Sequence, residues 1–233
     1  MSYRELSEHR AFANQTLPWF STDNERYFNY YLRMRYDDLD KLGWLYRKVS
    51  YTFNSLGFRC DEINSTNDSV VFLGGSEAIG CGIPIQHSFT TIVANELNLK
   101  CYNLAQSGAA NDTVYRLASY WLPKLNPKLV IISAPPPYRI EVINTFLDDP
   151  IEFYVPEYHG KHPFFKTWLS CEENSTFNEE KNRLAIEHIC TSNKLKLLRF
   201  NDTEFEALDY GRDLIHKGIE SNKKFAEKIL SML

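Results

Sequence analysis

From residue 69 onward the sequence repeats one pattern, in which a short apolar run is followed by a turn and then by a segment with helical spacing. Strands that alternate with helices pair in parallel, and the helices cover both faces of the sheet. The pattern therefore predicts a three-layer α/β/α domain with a central parallel sheet. The apolar runs lie at 70–73, 100–104, 129–133 and 195–200, and the helical segments at 89–97, 114–125, 183–189 and 218–233.

Two regions stand outside this repeat. Residues 1–68 predict an N-terminal helical arm, with helical spacing of apolar residues within 19–49, and an extended connector at 51–60 that leads to the domain at 69–233. A long insertion at about 138–178 is rich in aromatic residues. Long insertions at the carboxyl edge of a parallel sheet commonly shape a binding site, and an additional packed subdomain is the alternative interpretation.

The composition excludes several classes of protein. The 233 residues carry a net charge of −4 and no basic stripe, which argues against a nucleic-acid partner. No apolar run approaches the roughly 20 residues that cross a bilayer, and residues 1–10 lack the apolar core of a signal peptide. The five cysteines form no CxxC pair, which is typical of reduced thiols. We therefore expect a cytoplasmic protein without a membrane partner.

Metal binding is not predicted either. His159 and His162 have the spacing of a metal-binding pair, but no nearby carboxylate or cysteine completes a ligand set. A pair of loop histidines is the preferred interpretation, and no cofactor is expected.

The turn after the first strand, Gly74-Gly75-Ser76-Glu77-Ala78-Ile79-Gly80, matches none of the common glycine-rich motifs. A dinucleotide fingerprint needs glycines at the first, third and sixth positions, and a P-loop needs Gly-Lys followed by Ser or Thr. A nucleophile elbow needs glycine where Ala78 stands. The remaining feature is a serine in the turn that follows a parallel strand, at the carboxyl edge of the sheet where α/β proteins bind ligands.

Near the other end of the chain, Asp213-Leu214-Ile215-His216 precedes the terminal helix. A serine hydroxyl is a weak nucleophile until a base removes its proton, and a carboxylate can orient a histidine for that task. Asp213 and His216 are three residues apart, so one turn can point both toward the same cleft. Each residue taken alone is more often a helix cap or a surface side chain, and the order of Ser76, Asp213 and His216 favours a catalytic triad.

Together these motifs resemble the SGNH (GDSL-like) hydrolase family, in which the nucleophilic serine follows the first strand and a D-x-x-H turn supplies the rest of the triad. Residues 102–108, Tyr-Asn-Leu-Ala-Gln-Ser-Gly, are similar to the second block of the family, whose glycine donates an N–H to the oxyanion hole. The resemblance implies a flavodoxin-like sheet, with Ser76 as nucleophile, His216 as base and Asp213 as its orienting carboxylate. It also implies oxyanion donors at Ser76 and Gly108. Residues 54–59, with Arg139 and Glu141, further resemble a branch found in phages and marine microbes.

The sequence departs from the family at two positions. Gly75 replaces the aspartate that usually precedes the nucleophile, and the third block lacks its oxyanion asparagine because the strand runs into Pro135-Pro136-Pro137. Proline has no backbone N–H to donate. Asn111, Ser133 and Arg139 are candidates to replace the missing donor, and Arg139 could equally bind an anionic substrate. Glu77 could line the cleft or cap a helix.

The resemblance predicts hydrolysis of a small ester, for example removal of an acetyl group from a carbohydrate. The expected partner is thus a small-molecule or glycan ester. Two other functions stay open. A non-catalytic glycan-binding or protein-binding module could use the same fold with a degraded oxyanion hole, and an O-acyltransferase could use the same triad while excluding water.

Overall fold

The computed structural model describes residues 3–64, 67–143, 151–154, 168 and 171–233. The strands are β1 (Thr16–Leu17), β2 (Tyr51–Thr52), β3 (Ser69–Gly74), β4 (Lys100–Asn103), β5 (Leu129–Ala134), β6 (Ile140–Ile143), β7 (Ile151–Tyr154) and β8 (Lys196–Asn201). The α-helices are α1 (Glu25–Met34), α2 (Tyr36–Lys41), α3 (Ser76–Ile79), α4 (Phe89–Glu96), α5 (Asn111–Leu125), α6 (Glu172–Ser192) and α7 (Ile219–Ser231). Short 3₁₀ helices span Glu8–Phe12, Ile85–His87 and Asp202–Glu204.

The central sheet has four parallel strands in the order β4-β3-β5-β8. All residues of β3 and β5 are buried, as expected for strands that helices cover on both faces. Of these four strands, β3 comes first in the chain but lies second in the sheet, between β4 and β5. This is the flavodoxin-like strand order. The predicted fold class is therefore confirmed.

Alternate residues of β3 point into two separate apolar clusters. Val70 and Phe72 contact the cluster that α4 and α7 cover, whereas Val71 and Leu73 contact the cluster under α5 and α6. The two sides have different packing, because aromatic rings dominate the first cluster. The ring centroids of Phe89 and Phe225, for example, lie 4.6 Å apart. The period-2 alternation of the strand thus builds both cores at once.

Residues 3–64 are packed against this sheet. They contain helices α1 and α2 and a short antiparallel ladder between β1 and β2. Six buried apolar side chains of this segment belong to the same cluster as Val70 and Phe72, namely Phe20, Leu39, Trp44, Val49, Tyr51 and Phe53, whereas Phe58 belongs to the cluster of Val71 and Leu73. The arm therefore contributes to the core around the sheet.

Within the predicted insertion, β6 and β7 pair in antiparallel orientation. The histidine pair His159 and His162 lies outside the described residues, as do most of the aromatic residues of this segment. Helix α6 begins at Glu172, eleven residues before the predicted segment 183–189. The reason is that its buried face there is polar: Asn178 and Asn182 donate to the carboxylate of Asp112, at 3.0 and 2.9 Å, so the apolar periodicity is missing.

Within the described residues, none of the helices combines the length and the apolar character that a bilayer span requires.

Candidate active site

Ser76 is the first residue of α3 and lies directly beyond the carboxyl end of β3. The glycine at the end of β3 allows this sharp turn. Gly74 has a φ of +151°, and a Cβ there would come within 2.5 Å of the Ser133 carbonyl oxygen on β5. Only glycine tolerates both the backbone conformation and the close approach. The turn leaves the Ser76 side chain partly accessible.

The three residues predicted to form a triad are brought together in one hydrogen-bond chain. Ser76 Oγ lies 2.7 Å from His216 Nε2, and His216 Nδ1 lies 2.5 Å from Asp213 Oδ2. His216 and Asp213 are 8% and 2% exposed, so the pair is largely shielded from water. A proton on Nδ1 bound to the carboxylate leaves Nε2 free to accept the serine proton, which is the arrangement that general-base catalysis requires.

Local backbone contacts hold the loop that carries Asp213 and His216. Asp213 Oδ1 accepts hydrogen bonds from the backbone N–H groups of Ile215 and His216, both at 3.1 Å. Leu214, which follows Asp213, has a φ of +51°. An aspartate that binds the N–H two residues ahead forms an Asx turn. One carboxylate oxygen thus fixes the turn, and the other faces the imidazole.

The charges of this pair shift both pKa values. Burial alone would lower the pKa of the His216 imidazole, but the hydrogen bond and charge of Asp213, with a contribution from Glu77, raise it above its ordinary value. Burial alone would raise the pKa of the Asp213 carboxyl, but the contacts with His216 and Thr22 outweigh burial and lower it. The structure therefore favours an ionised carboxylate beside a more basic imidazole.

Thr22 is a site residue that the sequence analysis missed. Its hydroxyl donates to Asp213 Oδ2 at 2.7 Å and lies 3.3 Å from His216 Nδ1. Thr22 belongs to the N-terminal arm, 191 residues before Asp213. No motif surrounds it in the sequence, because the contact depends on how the arm packs against the sheet.

A buried ion pair next to Thr22 anchors the same loop. Arg212 binds Asp23 with two hydrogen bonds of 2.8 Å, and the Tyr51 hydroxyl donates to Asp23 at 2.5 Å. The Arg212 guanidinium also stacks 3.8 Å from the Trp19 ring centroid. Arg212 directly precedes Asp213 in the chain. Two adjacent residues of the arm therefore hold this loop: Thr22 binds Asp213, and Asp23 binds Arg212.

Of the predicted oxyanion residues other than Ser76, Gly108 lies on the neighbouring turn between β4 and α5, and Asn111 is the first residue of α5. The Gln106 N–H donates to the Gly74 carbonyl at 3.0 Å, which places this turn beside the turn that carries Ser76. Gly108 has a φ of +74°, and no atom lies within 4 Å of the position that a Cβ would occupy. Asn111 donates its side-chain amide to the Pro135 carbonyl at 3.3 Å, so this contact ties it to the proline segment.

Glu77 and Arg139, the predicted substrate-binding residues, both lie near the Ser76 turn. Glu77 accepts the backbone N–H of Lys217 at 3.3 Å and lies 3.7 Å from its ammonium, so it joins α3 to the histidine loop. Arg139 Nη1 lies 3.9 Å from the position of a Cβ at Gly75. In the part of the chain that the structure describes, no cluster of three His, Cys, Asp or Glu residues could hold a metal ion.

A cavity of about 550 Å³ lies on the arm side of these turns. Its wall combines aromatic side chains, including Phe12, Trp19 and Phe20, with the polar side chains of Ser21 and Ser107. The two serine hydroxyls lie 2.7 Å apart. Ser21 precedes the residue that binds Asp213, and Ser107 precedes the glycine of the neighbouring turn. Two of the residues that line the cavity are thus sequence neighbours of Thr22 and Gly108, and its wall as described includes none of Ser76, Asp213 and His216.

A family model described as "Domain of unknown function (DUF6473)" matches residues 34–133, which include Ser76 and Gly108 but not Asp213 or His216. No curated protein matches the chain.

Several solved structures resemble the chain at low identity. They include the acetyl xylan esterase AlAXEase, 11% identical over 71% of this chain and 99% of that one, with a TM-score of 0.36. TesA is 12% identical over 71% of this chain and 97% of that one, with a TM-score of 0.40. A GDSL-like lipase from Bacteroides thetaiotaomicron VPI-5482 is 14% identical over 73% of this chain and 91% of that one, with a TM-score of 0.34.

Proposed function

We propose that this protein is a serine hydrolase of the SGNH type that cleaves small esters. The observation that carries the proposal is the unbroken hydrogen-bond chain from Ser76 Oγ through the His216 ring to the Asp213 carboxylate, with heavy-atom distances of 2.7 and 2.5 Å. The chain ends at a partly accessible hydroxyl beyond the carboxyl edge of a parallel sheet, where α/β enzymes bind their substrates.

The proposed reaction has two steps. In the first, His216 Nε2 takes the Ser76 proton while Oγ forms a bond with the ester carbonyl carbon. The tetrahedral intermediate collapses as the carbon–oxygen bond to the alcohol breaks, and His216 gives the proton to that alcohol. In the second, His216 takes a proton from water while the water oxygen bonds to the acyl carbon; the bond between that carbon and Ser76 Oγ then breaks, His216 gives the proton to Oγ, and the acid leaves.

Backbone N–H groups would stabilise the oxyanion of each intermediate. The Ser76 N–H is at the first position of α3, where no intrahelical acceptor exists for it. The Gly108 N–H is the second proposed donor, because its turn is hydrogen-bonded to the Gly74 carbonyl next to the nucleophile turn. Each such donor contributes about 3–4 kcal/mol to a transition state when it is positioned in advance.

The proposed substrate is a small ester such as an O-acetylated carbohydrate. The cavity between the arm and the Ser107 turn supports a hydroxyl-bearing alcohol group, because its wall pairs the rings of Trp19 and Phe20 with the polar side chains of Ser21, Asn24 and Ser107. Aromatic faces pack against the C–H face of a sugar, while the polar groups exchange hydrogen bonds with its hydroxyls. The cavity is large enough for a small sugar.

The test is hydrolysis of p-nitrophenyl acetate by the wild type, Ser76→Ala and Ser192→Ala. Ser192 is the matched control, because its hydroxyl also contacts a histidine, His188 at 3.4 Å, but on an exposed surface. We expect Ser76→Ala to lose activity and labelling by a fluorophosphonate probe, and Ser192→Ala to keep both. Equal rates for the wild type and Ser76→Ala would refute the proposal. Adding an acceptor alcohol and analysing the products separates acyl transfer from hydrolysis.

A further inference from the structure

One arginine at the Ser76 turn has no partner among the residues that the structure describes. Three buried arginines near the site have partners: Arg59 donates to four backbone carbonyls through its two Nη atoms, Arg116 binds Glu141, and Arg212 binds Asp23. The Nε atoms of Arg59 and Arg139 are both solvent-shielded without a hydrogen-bond partner, but Arg139 differs because no atom of its side chain makes a hydrogen bond or ion pair with any residue that the structure describes. A shielded N–H without an acceptor carries a desolvation cost, so the position of this half-buried guanidinium favours a ligand that accepts from it.

A second polar group without a partner lies at the same turn. Ser133 is 2% exposed and pairs with Gly74 in the β3–β5 ladder, and its Oγ has no hydrogen-bond partner among the described residues. A Cβ at Gly74 would lie 3.0 Å from the Ser133 Cβ, and one at Gly75 would lie 3.9 Å from Arg139 Nη1. Both groups therefore flank the two glycines that precede Ser76.

The backbone around Arg139 is held in place. Its N–H donates to the Pro136 carbonyl at 3.3 Å, and the next residues begin β6. Glu141 on that strand forms a buried two-point contact with Arg116, with nitrogen–oxygen distances of 2.6 and 2.9 Å. A guanidinium on a fixed backbone loses less entropy when it binds than one on a free loop, so the site is prepared for a ligand.

The order of the strands separates the Arg139 guanidinium from Gly108, the proposed oxyanion donor on the turn after β4. Ser76 follows β3, Gly108 follows β4 on one side, and Arg139 follows β5 on the other. A group held by Gly108 and a group held by Arg139 therefore approach the serine from opposite sides. The two amino ends of a guanidinium form a fork that matches the two oxygens of a carboxylate.

We propose that Arg139 binds a carboxylate on the substrate, so that the enzyme prefers esters that carry a negative charge close to the scissile bond. Ser133 would add a second donor at the base of this site. The proposal rests on the proposed esterase function and deepens it, because it names the substrate class. The net charge of −4 would not attract such a substrate over a distance, so the preference depends on this local cation.

The test uses two pairs of esters that differ only in a carboxylate. Monomethyl succinate against dimethyl succinate places the charge on the acyl side, and 4-carboxyphenyl acetate against its methyl ester places it on the alcohol side. The variants are Arg139→Met, which keeps the bulk of the side chain, and Arg139→Lys, which keeps the charge without the fork. Arg183→Met is the control, because Arg183 pairs with Glu187 on α6 and lies outside the site.

We expect the wild type to hydrolyse the charged member of at least one pair with a kcat/KM at least ten-fold higher than that of its neutral partner. Arg139→Met should abolish this preference, Arg139→Lys should keep part of it, and Arg183→Met should leave it unchanged. An equal loss on charged and neutral esters in Arg139→Met would overturn the proposal and assign the guanidinium to the oxyanion. The absence of any preference in the wild type would overturn it as well.

A binding measurement keeps the outcome separate from that of the proposed function. Calorimetric titration of succinate into the wild type, Arg139→Met and Arg183→Met needs no catalysis. We expect binding to the wild type and to Arg183→Met, and at least a ten-fold weaker association with Arg139→Met. Equal affinities for all three proteins would refute the anion site even if every ester is hydrolysed.

Discussion

The Thr22 hydroxyl and the His216 imidazole bind the same carboxylate oxygen, Asp213 Oδ2, at 2.7 and 2.5 Å. The segment that precedes the sheet thus reaches the triad directly. A second donor on this oxygen restricts the rotation of the carboxylate, and a restricted carboxylate holds the imidazole in one orientation. Thr22 is therefore a positioning residue in the proposed mechanism, since it acts on Asp213 and His216.

Replacing Thr22 by valine should lower kcat with little change in KM. Valine keeps the shape of threonine but cannot donate, and a hydrogen bond to a charged group contributes about 1.5–3 kcal/mol, so we expect kcat to fall by about 10- to 100-fold. Thr22→Ser retains the hydroxyl and should restore most of the activity. Steady-state kinetics on p-nitrophenyl acetate measures both. A purely structural role would predict that serine, which leaves a methyl-sized gap, is as harmful as valine.

The raised pKa of His216 should be visible in the pH dependence of activity. The imidazole accepts the Ser76 proton only when Nε2 is unprotonated, so activity rises with pH through the pKa of His216. Because Asp213 and Glu77 outweigh burial and raise this pKa, we expect the acid limb of kcat/KM above pH 6.5, the ordinary value for histidine. An acid limb well below that value would contradict the ion pair.

Asp213→Asn should shift the acid limb of kcat/KM to lower pH and also reduce kcat. Without the carboxylate, burial dominates and the pKa of His216 should fall below its ordinary value, as NMR titration of the imidazole would show. The amide can also stabilise the wrong tautomer, with the proton on Nε2, so kcat should fall by about 10⁴-fold. Glu227→Gln is a suitable control, because it removes a surface carboxylate that pairs with Lys224. If Asp213→Asn keeps near-normal activity, Asp213 does not orient the base.

The sequence predicts this site unevenly, for physical reasons. Ser76, Asp213 and His216 lie in short motifs whose geometry is local, and the alternation of strands and helices is enough to bring those motifs to one edge of the sheet. Thr22 contacts Asp213 although the two residues are 191 positions apart in the sequence, and no local sequence pattern predicts such a contact. Helix α6 was underestimated for a related reason, because buried asparagines bound to Asp112 replace the apolar face that periodicity detects.

Arg59 should be essential for stability, although it lies outside the triad. Its guanidinium is 0% exposed and donates to the carbonyls of Ile79 and Gly80, at 3.0 and 2.6 Å, at the end of the helix that carries Ser76. Arg59→Met leaves these carbonyls buried without a donor, and we expect a loss of about 3–5 kcal/mol in the free energy of unfolding. Arg59→Lys should also destabilise, because an ammonium cannot span the same carbonyls.

Urea denaturation measures this loss, and Arg183→Met provides the comparison. Arg183 forms a surface pair with Glu187, and such pairs contribute about 0–1 kcal/mol. A similar change in the two methionine variants would show that the carbonyls around Arg59 find other donors, and that the guanidinium does not hold α3.

Gly74 and Gly108 both have positive φ angles, +151° and +74°, but they should respond differently to alanine. A Cβ at Gly74 would lie 2.5 Å from the Ser133 carbonyl oxygen, so β3 and β5 must separate and the Ser76 turn must move. At Gly108 no atom lies within 4 Å of the added Cβ, and the cost is that of the backbone conformation alone, about 1–2 kcal/mol. We therefore expect Gly74→Ala to lose most of its activity and more stability than Gly108→Ala, by urea denaturation and ester hydrolysis. Gly108→Ala keeps its backbone N–H, so a comparable loss of activity in both variants would contradict the geometry of the two turns.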